Sequence, residues 1–122
     1  AQADEGIYVV ATAGGEGTRA LVDAPVLRAL GPQGSLINIA RGSVIDEPAL
    51  IAALRDKELG SAGLDVFVNE PNVDPGFAAL DNVVLHPHHA SGTVETRDAM
   101  AQLVVDNLAA HFAGRPLLTP VN

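Results

Sequence analysis

The chain has 122 residues, 48% of them hydrophobic and 18% charged, with no cysteine and a formal net charge of −8. That length suits one domain with a real if modest core, and that composition is globular rather than disordered. The acidity argues against nucleic acid or an anionic membrane as a partner, since both need a basic face. The missing thiols exclude a disulfide framework, a thiolate zinc site and a cysteine nucleophile. Nothing near Ala1 resembles a charged and then apolar leader, and no apolar stretch approaches the roughly 20 residues of a membrane helix. The expected location is the cytoplasm.

Residues 7–12, Ile-Tyr-Val-Val-Ala-Thr, lie between Gly6 and Gly14-Gly15 and predict a short strand buried on both faces. A polar turn over 14–19 leads to a short helix from about Ala24, with Asp23 as N-cap, Pro25 in the first turn and Gly31-Pro32 as the stop. Residues 35–40 form the second expected strand. Asp46 then caps a helix whose Leu50, Ala53 and Leu54 share one face, and which Gly60 is expected to end. Residues 62–67 and 82–86 read as the third and fourth strands. Between them, 68–81 contains Pro71, Pro75 and Gly76 and reads as a surface loop long enough to carry function. The longest expected helix runs from about Thr93 to Phe112, where Met100, Leu103, Val104, Leu108 and Phe112 recur as an apolar stripe. Gly114-Arg115-Pro116 terminates it.

Strands alternating with helices predict an α/β fold with a parallel sheet. Four strands are few for a complete doubly wound domain, so the pattern looks like half of a larger α/β fold. In such sheets the carboxyl ends of the strands share one crevice. Arg41, Glu70 and His88 each follow a different apolar run. Taken singly, each has an ordinary reading: a solvated post-strand arginine, a surface carboxylate and a satisfied loop histidine. Histidines at 86, 88 and 89 also suggest a metal site, but no partnering carboxylate lies nearby in sequence. Taken together they supply a carbonyl-reducing site. A guanidinium can hold a carboxylate and polarise the adjacent carbonyl, an imidazole can deliver a proton, and a carboxylate can orient that imidazole and favour its charged form.

The segments Asn38-Ile39-Ala40-Arg41-Gly42-Ser43-Val44-Ile45-Asp46-Glu47, Ala62-Gly63-Leu64-Asp65-Val66-Phe67 with Glu70-Pro71, and Pro87-His88 resemble the D-isomer-specific 2-hydroxyacid dehydrogenase family. The stretch from Leu85 to Thr93 looks most like its glyoxylate/hydroxypyruvate reductases. The resemblance implies a partial Rossmann-like doubly wound sheet, with residues 1–112 as the C-terminal half of an NAD(P)-binding domain including its return helix, and 113–122 as a tail. It implies that Arg41 holds a small 2-keto acid, that Glu70 pairs with His88, and that His88 is the general acid. It further implies cofactor contacts at Thr12, Ala13, Thr18, Ile39, Ala40, Arg41, Asp65, His88, Ser91 and Gly92. The cofactor would be NADP or NAD, with NADPH favoured.

The family's G-x-G-x-x-G turn is absent, since Gly14-Gly15-Glu16-Gly17 lacks that spacing. The acidic or basic residue that separates NAD from NADP and the substrate domain are absent too. The chain is therefore expected to be a fragment with negligible activity alone. Its first strand would then be an open apolar edge that promotes self-association into a homo-oligomer. The reading from another class is a non-catalytic α/β half-domain that serves dimerisation.

Overall fold

A computed structural model describes residues 6–121. It divides into two compact units, one ending at His88 and the other beginning at His89. In the first unit four strands lie side by side in chain order and run parallel: β1 (Ile7–Val10), β2 (Ser35–Asn38), β3 (Ser61–Leu64) and β4 (Val83–Leu85). Parallel neighbours require a crossover between each pair. Helix α1 (Ala24–Leu30) makes the first and α2 (Glu47–Arg55) the second; the two pack against each other and so share one face of the sheet.

The helices start where the side chains dictate. Asp23 accepts from the Val26 N–H at 3.2 Å and Asp46 from the Ala49 N–H at 3.1 Å, each satisfying an otherwise unpaired donor. The end of α2 differs from expectation. Lys57, at φ 58°, takes the left-handed position, and the Glu58 N–H closes back on the Ala53 carbonyl. Gly60 is needed for another reason: a Cβ there would lie 2.7 Å from the Pro32 oxygen and 2.8 Å from that of Gly34.

Leu36 and Asn38 of β2 and Ala62 and Leu64 of β3 point to the helices and are buried, alternating with half-buried Ser35, Ile37, Ser61 and Gly63. Leu27, Leu50, Leu54 and Leu59 complete the core. β1 departs from the expected two-sided burial. Ile7 is 73% and Val9 53% exposed, because β1 is an edge strand that pairs only with β2 among the described residues. All four strands are shorter than their apolar runs, since the last residues of each run leave the ladder and turn at its rim. Nor is 68–81 wholly a surface loop. It contains a 3-10 turn, Pro75–Ala79, whose Phe77 is buried edge-on against Phe67 with ring centroids 6.1 Å apart.

The second unit is built on α3 (Val94–Phe112), capped by Thr93, whose hydroxyl accepts from the Thr96 N–H at 3.2 Å. Its apolar stripe is largely exposed, with only Ala110 buried. Asn107 holds the following tail by accepting from the Leu118 and Thr119 N–H groups. Among the described residues no helix is long and apolar enough to cross a membrane.

Candidate active site

Each strand of the first unit delivers its next residues to the same rim. At the end of β2, buried Asn38 organises the exit: its amide oxygen accepts from the Ala40 N–H at 3.0 Å and its amide nitrogen donates to the Arg41 carbonyl at 3.1 Å. The Arg41 side chain is thereby set outside the core, where Nη1 donates to the Ala40 carbonyl at 2.6 Å. Gly42 opens a 3-10 turn, Gly42–Val44, and sits so close to the chain leaving β3 that a Cβ would overlap the backbone of Phe67 and Val68.

The chain leaving β3 is held by two carboxylates. The Phe67 N–H donates to Glu70 Oε1 at 2.9 Å, and the next one, of Val68, donates to Glu47 Oε1 at 2.6 Å. At the end of β4 the His86 N–H still reaches Leu64, at 2.8 Å. Around Pro87 the chain makes a three-residue turn closed by the His88 N–H on the His86 carbonyl at 3.0 Å, and His88 adopts φ 51°. A left-handed non-glycine residue is uncommon outside functional or turn positions, though histidine tolerates it better than most. This turn directs His88 Nδ1 to Glu70 Oε2, 2.7 Å away.

The hydrogen bonds from His88 and from the Phe67 amide hold the Glu70 carboxyl below the usual glutamate range. Burial has the opposite effect at Glu47, pushing its carboxyl up despite the bond from Val68. A second imidazole–carboxylate pair joins the same two strand exits, His86 Nδ1 to Asp65 Oδ1, with the Asp65 side chain almost wholly buried.

Arg41, Glu70 and His88 line one open cavity of about 800 Å³ with Thr12, Ala13, Ile39 and Ala40. That volume falls in the range of small-molecule sites, about 300–1,000 Å³. Thr18 stands next to this wall and closes the 13–18 turn, its hydroxyl donating to the Ala13 carbonyl at 2.8 Å. Asp65 is not a wall of the cavity; it is engaged by His86. Ser91 and Gly92 belong to the second unit, where the Gly92 N–H donates to the His89 carbonyl at 2.9 Å. Among the described residues no group of three or more His, Cys, Asp or Glu is placed to hold a metal.

Three contributors escaped the reading of the sequence: Asn38, Glu47 and the partnership of His86 with Asp65. Asn38 looked like one polar residue in an apolar run. Glu47 carried no distinct signal, because an acidic residue in the first turn of a helix is ordinary. The two members of the His86–Asp65 pair are separated by the whole 68–81 segment, so only strand adjacency reveals it.

Residues 2–90 match the family model for the D-isomer specific 2-hydroxyacid dehydrogenase, NAD binding domain. Over 115 residues, 94% of the chain, it is 54% identical to 2-ketogluconate reductase of Gluconobacter oxydans (strain 621H), covering 37% of that protein. It is 58% identical over 115 residues to a glyoxylate/hydroxypyruvate reductase A of Arabidopsis thaliana, again covering 94% of the chain and 37% of the relative. Among solved structures, the NADPH-dependent glyoxylate/hydroxypyruvate reductase of Sinorhizobium meliloti, in complex with NADP and malonate, superposes with a TM-score of 0.91 at 51% identity, over 94% of this chain and 36% of that one. The chain thus spans little more than a third of the length of these relatives.

Proposed function

This chain belongs to the D-isomer specific 2-hydroxyacid dehydrogenase family, and from that premise we propose that its rim is the proton-donating and carboxylate-binding side of a site that reduces small 2-keto acids with NAD(P)H. One observation carries this reading: an imidazole–carboxylate pair and a guanidinium, from three strand exits, line the same cavity.

The two relatives compared by sequence bear the names of reductases for 2-ketogluconate and for glyoxylate and hydroxypyruvate. Those acids differ in their substituents but share a carboxylate beside a carbonyl. A planar guanidinium accepts that carboxylate through two parallel bonds and lends positive charge to the neighbouring carbonyl oxygen. We assign this to Arg41. Its present bond to the Ala40 carbonyl uses Nη1, one of several donors on the fork.

His88 holds the proton. Its Nδ1 is engaged by Glu70, which fixes the ring and leaves Nε2 to protonate the carbonyl oxygen as it gains charge. Glu70 is itself fixed by the Phe67 amide, so the ring is positioned by backbone at one remove. The nicotinamide cofactor, when bound, supplies the hydride to the carbonyl carbon. Thr12, Ala13 and Thr18 are assigned to its ribose and phosphate side, Ile39 and Ala40 to its ring side, and Asp65 to the ring's amide. Open backbone from Ala11 to Gly15 and half-exposed Ile39 leave that wall unfilled by side chains. NADPH is the favoured coenzyme and glyoxylate or hydroxypyruvate the favoured substrate. We expect the 122 residues alone to transfer negligible hydride, because the glycine turn that cradles pyrophosphate is not among them.

The test is a coenzyme and keto-acid profile of the full-length protein beside its Arg41→Ala variant. The reading expects impaired binding and turnover for every 2-keto acid and no compensating gain with simple aldehydes. Unaltered KM and kcat for the variant would defeat it. We also propose that the exposed edge of β1 pairs with a second copy of the chain, as unpaired apolar edges do. Light scattering should then show mass rising with concentration, and Ile7→Lys should abolish the rise.

A further inference from the structure

We propose that Glu47 is a positioning residue for this site: by accepting the Val68 N–H it locks the Phe67–Val68 peptide, which sets the Arg41 turn and the Glu70–His88 pair relative to each other. The proposal rests on the reading of Arg41, Glu70 and His88 given above and extends it to a residue that does not line their cavity.

That peptide is a junction. From one side the 3-10 turn following Arg41 presses on it through Gly42, with no room for a methyl group. Its neighbouring amide, the Phe67 N–H, donates to Glu70 Oε1, whose other oxygen meets His88 Nδ1. Its own amide, the Val68 N–H, donates to Glu47 Oε1 at 2.6 Å. Buried Phe67 anchors one half of this peptide by packing, but the Val68 side chain is exposed, so on that side the amide is held by its hydrogen bond.

Glu47 suits the task because it is rigid. It is the first residue of α2, immediately after the Asp46 cap, and is 7% exposed. The helix it belongs to is anchored in the core by Leu50 and Leu54. A carboxylate near the start of a helix is favoured by the helix dipole, which offsets part of its burial. Yet Asp46 already caps the helix, accepting from Ala49. Helix formation therefore does not require Glu47, and the bond to Val68 accounts for a buried carboxylate there. Through it the core-packed helix reaches the two backbone segments on which the guanidinium and the imidazole depend.

The experiment uses the isotopically labelled 122-residue chain without ligand, as wild type, Glu47→Ala and Glu47→Gln. Two readouts are followed by NMR: amide exchange along the chain, and the downfield Nδ1–H proton of His88 shared with Glu70. In Glu47→Ala, exchange at Val68 should quicken roughly tenfold to a hundredfold, the range expected for losing a charge-assisted bond. The His88 Nδ1–H signal should broaden or vanish, while the amides of Leu36, Ile37 and Leu64 keep their protection. Glu47→Gln, which retains an accepting oxygen, should restore both readouts.

An unchanged His88 signal in Glu47→Ala would overturn the proposal. So would a uniform loss of protection reaching Leu36 and Leu64, which would mean that Glu47 only stabilises the fold. Failure of Glu47→Gln to rescue would overturn it as well. Absence of the Nδ1–H signal in the wild type would instead count against the Glu70–His88 reading itself, so the two failures are distinguishable.

Discussion

Two imidazole–carboxylate pairs bridge the exits of β3 and β4. His86 with Asp65 and His88 with Glu70 use the same atoms, Nδ1 and a carboxylate oxygen, and lie two residues apart along the chain leaving β4. They differ in setting. The Asp65 side chain is 9% exposed and stands outside the cavity wall, whereas Glu70 is 35% exposed, lines the cavity and shares it with Arg41. On the reading proposed above, identical chemistry ties strand ends and steadies the Asp65 carboxylate in one pair and serves proton transfer in the other. Solvent-side access and the nearby guanidinium make the distinction, not residue type.

The sharpest way to break this comparison is His88→Gln in the full-length protein. Removing a positioned proton donor should lower turnover by roughly 10²–10⁴-fold. Keto-acid reduction at the parental rate would remove His88 from that role.

Next in size is the support beneath both pairs. Leu64 is the last residue of β3, is 3% exposed, and directly precedes Asp65. Truncating a buried leucine costs about 2–5 kcal/mol. Leu64→Ala should therefore show that loss in urea unfolding and weaken both pairs together.

His86→Gln should have a smaller effect on turnover, well short of the roughly 10²-fold that a proton donor supplies. If it equals His88→Gln, the two pairs are functionally one unit and the comparison fails.

The smallest effect expected is on acid stability. Folding holds the Glu70 carboxyl below its ordinary value, chiefly through the bond to His88. Its contribution is therefore present above that ordinary value and is lost as pH falls through the depressed one. Unfolding midpoints against pH for wild type and Glu70→Gln should separate in neutral buffer and converge in acid. The separation should be modest, because solvent screens a pair this exposed.

Much of this was legible in the chain. Apolar runs bounded by glycine and proline marked the four strands, Asp23 and Asp46 marked the starts of α1 and α2, and an apolar stripe marked α3, because capping and periodicity are local properties. Arg41, Glu70 and His88 were legible as a set once the runs before them were read as parallel strands, since parallel strands present their carboxyl ends on one rim. Glu47 and the His86–Asp65 pair were not. Their partners lie 21 residues away in each case, and no local pattern links them.

The burial of β1 shows the same divide. Its run is as apolar as that of β2, but exposure depends on what lies beside a strand, and β1 has a neighbour on one side only among the described residues. The sequence by itself determined the order of elements and set Arg41, Glu70 and His88 each after an apolar run, because these follow from spacing and caps, and its motifs carried the resemblance to the family. Only the tertiary structure decided which carboxylate meets which imidazole, which residues line the cavity and which backbone amides hold them. Those depend on contacts between strands and helices remote in the chain, formed only once the sheet is assembled.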